Sequence, residues 1–233
     1  MSMNTIREIR EALLTHADEG YKAFQCPLMP TVDPATVIGV RTPVLRRMAK
    51  ELKGTAGGEA LLRELPHTYF EENQLHAFLL ESIPDFTAAV TAVDAFLPFV
   101  DNWATCDSIR PPVFKKNLPR LLPHIRRWLD APDTYTRRFA IEMLMCHYLE
   151  EGVFSPEYPL LVSTVEPGEY YLEMMAAWYF ATALAKQWEA VFPFIEQKRL
   201  APAIHNRAIQ KATESRRISP EQKLLLKTLR LPG

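Results

Sequence analysis

Cysteine and glycine are scarce in this chain, and the shortages narrow its chemistry before any motif is considered. The three cysteines, Cys26, Cys106 and Cys146, are odd in number, far apart and without CxxC or Cys/His ligand spacing, so neither a disulfide framework nor a structural zinc is expected. The six histidines, His16, His67, His76, His124, His147 and His205, also fall at no metal-ligand spacing, and no metal site is expected. There are only eight glycines, and no glycine-rich phosphate loop, Walker motif, GxSxG elbow or HExxH occurs. Nucleotide-driven and familiar hydrolase chemistries therefore lack support, and no cofactor is expected. No apolar run reaches the ~18 residues of a membrane span. The N-terminal stretch "MSMNTIREIREALLTHADEG" has neither the apolar core nor the cleavage site of a signal peptide, which points to the cytoplasm.

Alternating strand patterns are also nearly missing, while helical periodicity recurs. In "YFEENQLHAFLLESI" the apolar residues Leu75, Phe78, Leu79 and Ile83 fall at three- and four-residue steps, and "RRFAIEMLMCHYLEEG" and "YYLEMMAAWYFATALAK" behave alike. The 19 prolines read as punctuation between these patterns. Apolar helices are expected to begin near Thr68, Asp101, Tyr135, Tyr170 and Asn206, a spacing that grows from 33 to 36 residues. Helix pairs at such a period cannot bury their apolar faces alone and must stack on neighbours. The fold expected is therefore all-α, a HEAT-like α-solenoid of stacked antiparallel helix pairs with a concave cleft. It would form a single domain over 1–233, with an N-terminal helical cap over 1–53 and repeats over 66–231; a non-repetitive helical bundle is the alternative.

Charge is uneven although the chain as a whole carries −1. Residues 106–138 hold eight basic against three acidic side chains, a local +5, and residues 198–230 nine against two, a local +7. On a curved solenoid such segments can converge on one concave surface that attracts a polyanion; otherwise they are solvated helix faces. The candidate phosphate-contacting residues are Arg110, Lys115, Lys116, Arg137, Arg207, Lys211, Arg216 and Arg217.

The segment "DNWATCDSIR" sets Trp103 and Asp107 four residues apart, on one face of a helix. An aromatic plane beside a carboxylate suits a cationic ligand, although a tryptophan on an apolar helix is more often core. Arg137 and Arg138 open the next unit's helix and Trp178 lies in the one after. At repeat intervals these residues can line a single cleft.

The stretches "IGVRTPVLRRMAKEL", "DNWATCDS", "RRWLDAPDTYTRRFAIEMLM", "EYYLEMMAAWYFATALAK" and "NRAIQKATESRRIS", in this order and spacing, resemble the AlkD-type DNA alkylation repair family, HEAT-like repeat glycosylases that remove alkylated bases. The resemblance covers nearly the whole chain. It implies double-stranded DNA with alkylated bases as partner and substrate, and no membrane, metal or cofactor. It also implies that Trp103, Asp107, Arg138 and Trp178 line the cleft against the lesion-bearing strand, with Arg137 the less favoured arginine. In this family the lesion is thought to be reached through the sugar-phosphate backbone, without a pocket for the base. Asp107 would then stabilise the cationic sugar that develops as an N3- or N7-alkylated purine leaves, and Arg138 would hold a backbone phosphate. The competing reading is a noncatalytic HEAT-like module that binds DNA structures or a protein partner through the same surface.

Overall fold

The computed structural model describes residues 3–232; Met1 and Ser2 of the expected cap, and Gly233, lie outside them. Among the described residues every regular element is helical, as the periodicity predicts, and neighbouring helices pack in the manner of an α-solenoid. Among the described residues no helix is long and apolar enough to cross a membrane. The chain groups into two compact units, residues 1–118 and 119–233.

The first unit contains α1 (Ile6–Thr15), α2 (Glu19–Gln25), α3 (Thr42–Leu52), α4 (Ala56–Arg63), α5 (Phe70–Leu80), α6 (Phe86–Phe96) and the one-turn helices α7 (Trp103–Cys106) and α8 (Pro112–Lys115). A short 3-10 turn, Cys26–Leu28, continues α2. The core joins Ile9 and Leu13 of α1, Leu45, Met48 and Leu52 of α3, Leu61 of α4 and Leu75, Phe78 and Leu79 of α5. Helix α5 is buried on nearly every side, and that burial includes two glutamates. Both are satisfied by backbone, as buried charges must be. Glu71 accepts N–H bonds from Ile38, Gly39 and Val40 at 3.0, 2.7 and 3.2 Å, tying the chain ahead of α3 to α5. Glu72 caps its own helix through the N–H groups of Thr68 and Tyr69 and also accepts from the Arg10 guanidinium. The loop held by Glu71 is tight: Gly39 has φ +93°, and a Cβ there would sit 2.5 Å from the Asp18 carbonyl oxygen.

The second unit contains α9 (Leu118–Leu129, all but its first residue), α10 (Thr134–His147), α11 (Glu157–Ser163), α12 (Tyr170–Lys186), α13 (Trp188–Glu196), α14 (Pro202–Glu214) and α15 (Pro220–Thr228). Here the repeat is plain. Helix α12 packs against both α10 and α14, the most extensive helix contacts of the unit, and their first residues follow at 36 and 32 residues (170 − 134 and 202 − 170). Alanines 176, 177, 181 and 183 of α12 are buried, small enough to let neighbouring helices approach closely. Trp128 of α9 meets Phe139 of α10 edge-to-face at 5.2 Å, and Phe180 of α12 meets Phe194 of α13 at 5.7 Å.

Two expectations change in detail. Pro123 and Pro193 sit inside α9 and α13 rather than between helices; each is the sixth residue of its helix, where it forfeits a single backbone bond close to the N-terminus. The helix expected near Asp101 is only a turn long, because Pro111 and Pro112 follow and Arg110, ahead of a proline, is steered away from helical angles.

Candidate active site

A helix of four residues needs outside support, and α7 obtains it from a buried polar network. Asn102 caps the turn, its Oδ1 accepting from the Thr105 N–H at 2.8 Å while its Nδ2 donates to Asp101 Oδ1 and Thr105 Oγ1. Gln74 of α5 donates from Nε2 to Thr105 Oγ1 at 3.0 Å, which fixes α7 against the buried helix. Ser108 completes the turn by donating to the Ala104 carbonyl at 2.8 Å. These contacts hold Trp103 and Asp107 one turn apart on one side, as their spacing predicts. Asp107 is the C-cap, at φ −71° and ψ −5°, and its N–H donates to the Trp103 carbonyl.

Trp103 packs against a small apolar cluster of Met29, Val32, Val37 and Phe70, and its indole N–H donates to the Leu28 carbonyl at 2.8 Å. The ring is therefore fixed in plane as well as by packing. Trp103 and Asp107 line one groove of about 300 Å³, together with Tyr21, Phe24, Gln25 and Leu28 from the α2 segment, Phe70 and Gln74 from α5, and Ser108. Tyr21 is itself steadied by the Arg41 guanidinium, 4.9 Å from its ring centroid, and Arg41 pairs with Asp18 at 2.9 Å. The groove joins a half-exposed carboxylate to aromatic walls, a combination that suits a flat, positively charged ligand.

The remaining candidates of this segment, Arg110, Lys115 and Lys116, are all exposed, and the Arg110 Nε–H donates to the Asp107 carbonyl at 3.0 Å. Arg138 and Trp178 belong to the second unit. Trp178 is 42% exposed on α12, with the Lys211 ammonium 6.0 Å from its ring centroid. Both line a hollow of about 360 Å³ with Thr182, Glu214, Ser215 and Arg217. Arg138 is only 5% exposed, and one of its guanidinium N–H groups donates to the Tyr171 carbonyl at 2.7 Å. Arg137 borders a different hollow, with Arg126, Asp130 and Glu166. Arg207 forms an ion pair with Glu173 and lies 4.9 Å from the Tyr170 ring centroid, whereas Arg216 and Arg217 are exposed.

Sequence reasoning did not find the α2 side of the groove. The residues 1–53 read as a cap, and Tyr21, Phe24, Gln25 and Leu28 carry no motif. One signal was available: α2 sets Tyr21 and Phe24 at i and i+3 but buries none of its residues, so its aromatics serve something other than a core.

The architecture defines a helical-repeat protein whose aromatic and carboxylate side chains line an open groove and whose basic side chains lie exposed on several helices. The family described as DNA alkylation repair enzyme matches residues 9–212, and the chain belongs to that family. It therefore has a role in DNA repair. No curated protein matches the chain.

Proposed function

We propose that the chain is a monofunctional DNA glycosylase that releases N3- or N7-alkylated purines from double-stranded DNA, with Asp107 as its central catalytic residue. The observation that carries this reading is that Trp103 and Asp107 line one aromatic groove within a DNA alkylation repair fold. Alkylation makes the purine cationic, so it is already a good leaving group and needs little acid catalysis. The C1′–N bond breaks with its electron pair passing to the base nitrogen, which neutralises the base and leaves positive charge on the sugar. The Asp107 carboxylate stabilises that charge, more strongly in a groove walled by Trp103, Phe70 and Met29 than in bulk water. A water then bonds to C1′ and gives up its proton to Asp107 or to solvent. The Trp103 face attracts the same cation by roughly 0.5–2 kcal/mol.

In the second unit, exposed Trp178 offers a further aromatic face. Lys211, Arg216 and Arg217 are suited to backbone phosphates, contacts that position DNA without reading its sequence. The phosphate contact of Arg138 belongs to the proposal as well, made by a guanidinium anchored on Tyr171. The test is base release from methylated duplex DNA. Asp107→Asn keeps the shape and removes the charge, so release should fall about tenfold for each ~1.4 kcal/mol of lost transition-state stabilisation. Wild-type release no faster than that of Asp107→Asn would refute the reading. The second reading, a noncatalytic module for DNA structures or a protein partner, is favoured by one observation: Arg138 and Arg207 are engaged internally, by the Tyr171 carbonyl and by Glu173.

A further inference from the structure

The helix face that carries the Asp107 groove does not end there. Thr42 of α3 and Phe70 and Gln74 of α5 line that groove, and further along the same two helices lies a second hollow of about 280 Å³. Arg46, Lys50 and Lys53 of α3 and Phe78, Glu81 and Ser82 of α5 line it. From Thr42 these α3 residues follow at four, eight and eleven positions, and from Gln74 the α5 residues follow at four, seven and eight. Both series keep to one face of their helix, so the two hollows share one continuous surface. The second is positively charged, with three cations against one carboxylate, a local +2 (3 − 1). The Arg46 guanidinium is already engaged, 3.7 Å from the Phe78 ring centroid and paired with Glu81 at 2.6 Å. Lys50 and Lys53 are exposed, and neither meets a carboxylate among the described residues.

Lysines near the end of a helix complement its dipole, an effect of about 0.3–1 kcal/mol. The second unit shows that the fold does not require them here. Its hollow at Trp178 has the same plan: Trp178, Thr182 and Ala185 of α12 are spaced as Arg46, Lys50 and Lys53 are, and Lys211, Glu214 and Ser215 of α14 as Phe78, Glu81 and Ser82 are. Each hollow sets a cation against a ring across its helix pair, with the two exchanged: Arg46 lies over Phe78, whereas Lys211 lies 6.0 Å from the Trp178 centroid. The hollows are one repeat position met twice. Where α12 keeps threonine and alanine, α3 carries Lys50 and Lys53.

We propose that Lys50 and Lys53 seat a backbone phosphate of the lesion-bearing strand a few nucleotides from the damaged one. The inference rests on the glycosylase reading, which sets the sugar of the damaged nucleotide at Asp107. The eight residues from Thr42 to Lys50 advance α3 by about 12 Å, and a strand of duplex advances ~3.4 Å per phosphate, so the seat falls about three to four nucleotides away. Such a contact fixes position without reading sequence, and it asks no base to leave the stack. Holding the strand here registers the damaged sugar against the carboxylate.

The test uses the full chain and a duplex with one tetrahydrofuran residue, a stable stand-in for the sugar of the product, in which single phosphates are replaced in turn by uncharged methylphosphonates. Fluorescence anisotropy should show wild-type affinity falling when the neutral linkage lies about three or four nucleotides from the tetrahydrofuran on its own strand. The double variant Lys50→Ala, Lys53→Ala should bind the unmodified duplex more weakly, with a logarithmic salt slope smaller by about 0.9 for one lost phosphate contact, and should be indifferent to a neutral linkage at that position. Lys50→Arg, Lys53→Arg should restore both behaviours. Lysines that serve only the helix end would lower the urea midpoint and leave the pattern of interference intact. A wild type insensitive at these positions, or a double variant that keeps the sensitivity, overturns the seat, and the glycosylase reading stands if methylated duplex still loses its base. The expected interference without any base release from methylated duplex removes the glycosylase reading and leaves the phosphate seat to the noncatalytic module.

Discussion

Glu71 links the stability of the first unit to the geometry of the groove, and Glu71→Gln measures the link. The carboxylate is fully buried; Oε1 accepts from Gly39 and Val40, and Oε2 from Ile38. Glutamine has the same shape but one oxygen, so its carbonyl can keep Gly39 and Val40 while its NH₂ group confronts the Ile38 N–H, donor against donor. The two retained bonds lose their charge assistance, a reduction of about 1 kcal/mol each, and the orphaned N–H costs about 1–3 kcal/mol more. Removing a buried charge offsets part of this, because the amide is cheaper to desolvate. The net expectation is a loss of about 2–4 kcal/mol, a large share of the ~5–15 kcal/mol typical of a folded domain. Urea unfolding followed by circular dichroism would read it as a lower midpoint. The loop that Glu71 holds abuts Asp18, the N-cap of α2, so the variant should also loosen the wall that carries Tyr21 and Gln25. A destabilisation below about 1 kcal/mol would refute the reasoning, since it would mean that the three N–H groups find other acceptors at no cost.

Three further outcomes are expected. Gly39→Ala should destabilise the same loop by about 1–3 kcal/mol, as it combines a left-handed backbone with a Cβ 2.5 Å from the Asp18 oxygen; an unchanged melting temperature would contradict this. His67 Nε2 and His76 Nδ1 lie 2.9 Å apart, and burial lowers the two imidazoles from 6.5 to about 4 and about 3; Glu72, Arg10 and, for His76, the Leu61 carbonyl and the partner imidazole are the other influences. The unfolded chain therefore binds these protons more readily than the folded one, so stability is fully present above pH 6.5 and is lost as pH falls from there towards about 4; the urea midpoint should drop over that window, and less steeply in His76→Leu. DNA affinity should fall steeply with salt, and Lys211→Ala and the double variant Arg216→Ala, Arg217→Ala should reduce the logarithmic salt slope by about one unit per removed phosphate contact; equal slopes in all variants would rule out these cations as contacts.

The parts of this structure that were legible in its sequence are those decided by nearby residues. Helices α10, α12 and α14 announce themselves through apolar residues at three- and four-residue steps, because each must bury a face against its neighbours; expected starts near Tyr135, Tyr170 and Asn206 fall within four residues of the observed Thr134, Tyr170 and Pro202. The Trp103–Asp107 pair was legible for the same reason, being a matter of one helical turn. What was not legible depends on partners far along the chain. Nothing in the sequence marks Glu71 and Glu72 as buried, and their burial follows only from the loop at 38–40 and from Arg10. Arg207 reads as a free cation until Glu173, 34 residues earlier, is folded against it.

The groove shows why this division matters for function. Its carboxylate and one ring come from a short motif that can be read directly, whereas the wall that encloses them comes from α2, whose residues form no pattern because they serve no core. A motif alone describes an exposed carboxylate beside a tryptophan, enough for contact with a sugar from outside. Only the addition of Tyr21, Phe24 and Gln25 gives that contact an enclosing wall. The enclosure of the carboxylate therefore lies in residues that no local pattern marks, because α2 meets α5 and α7 only after the chain between them has folded back.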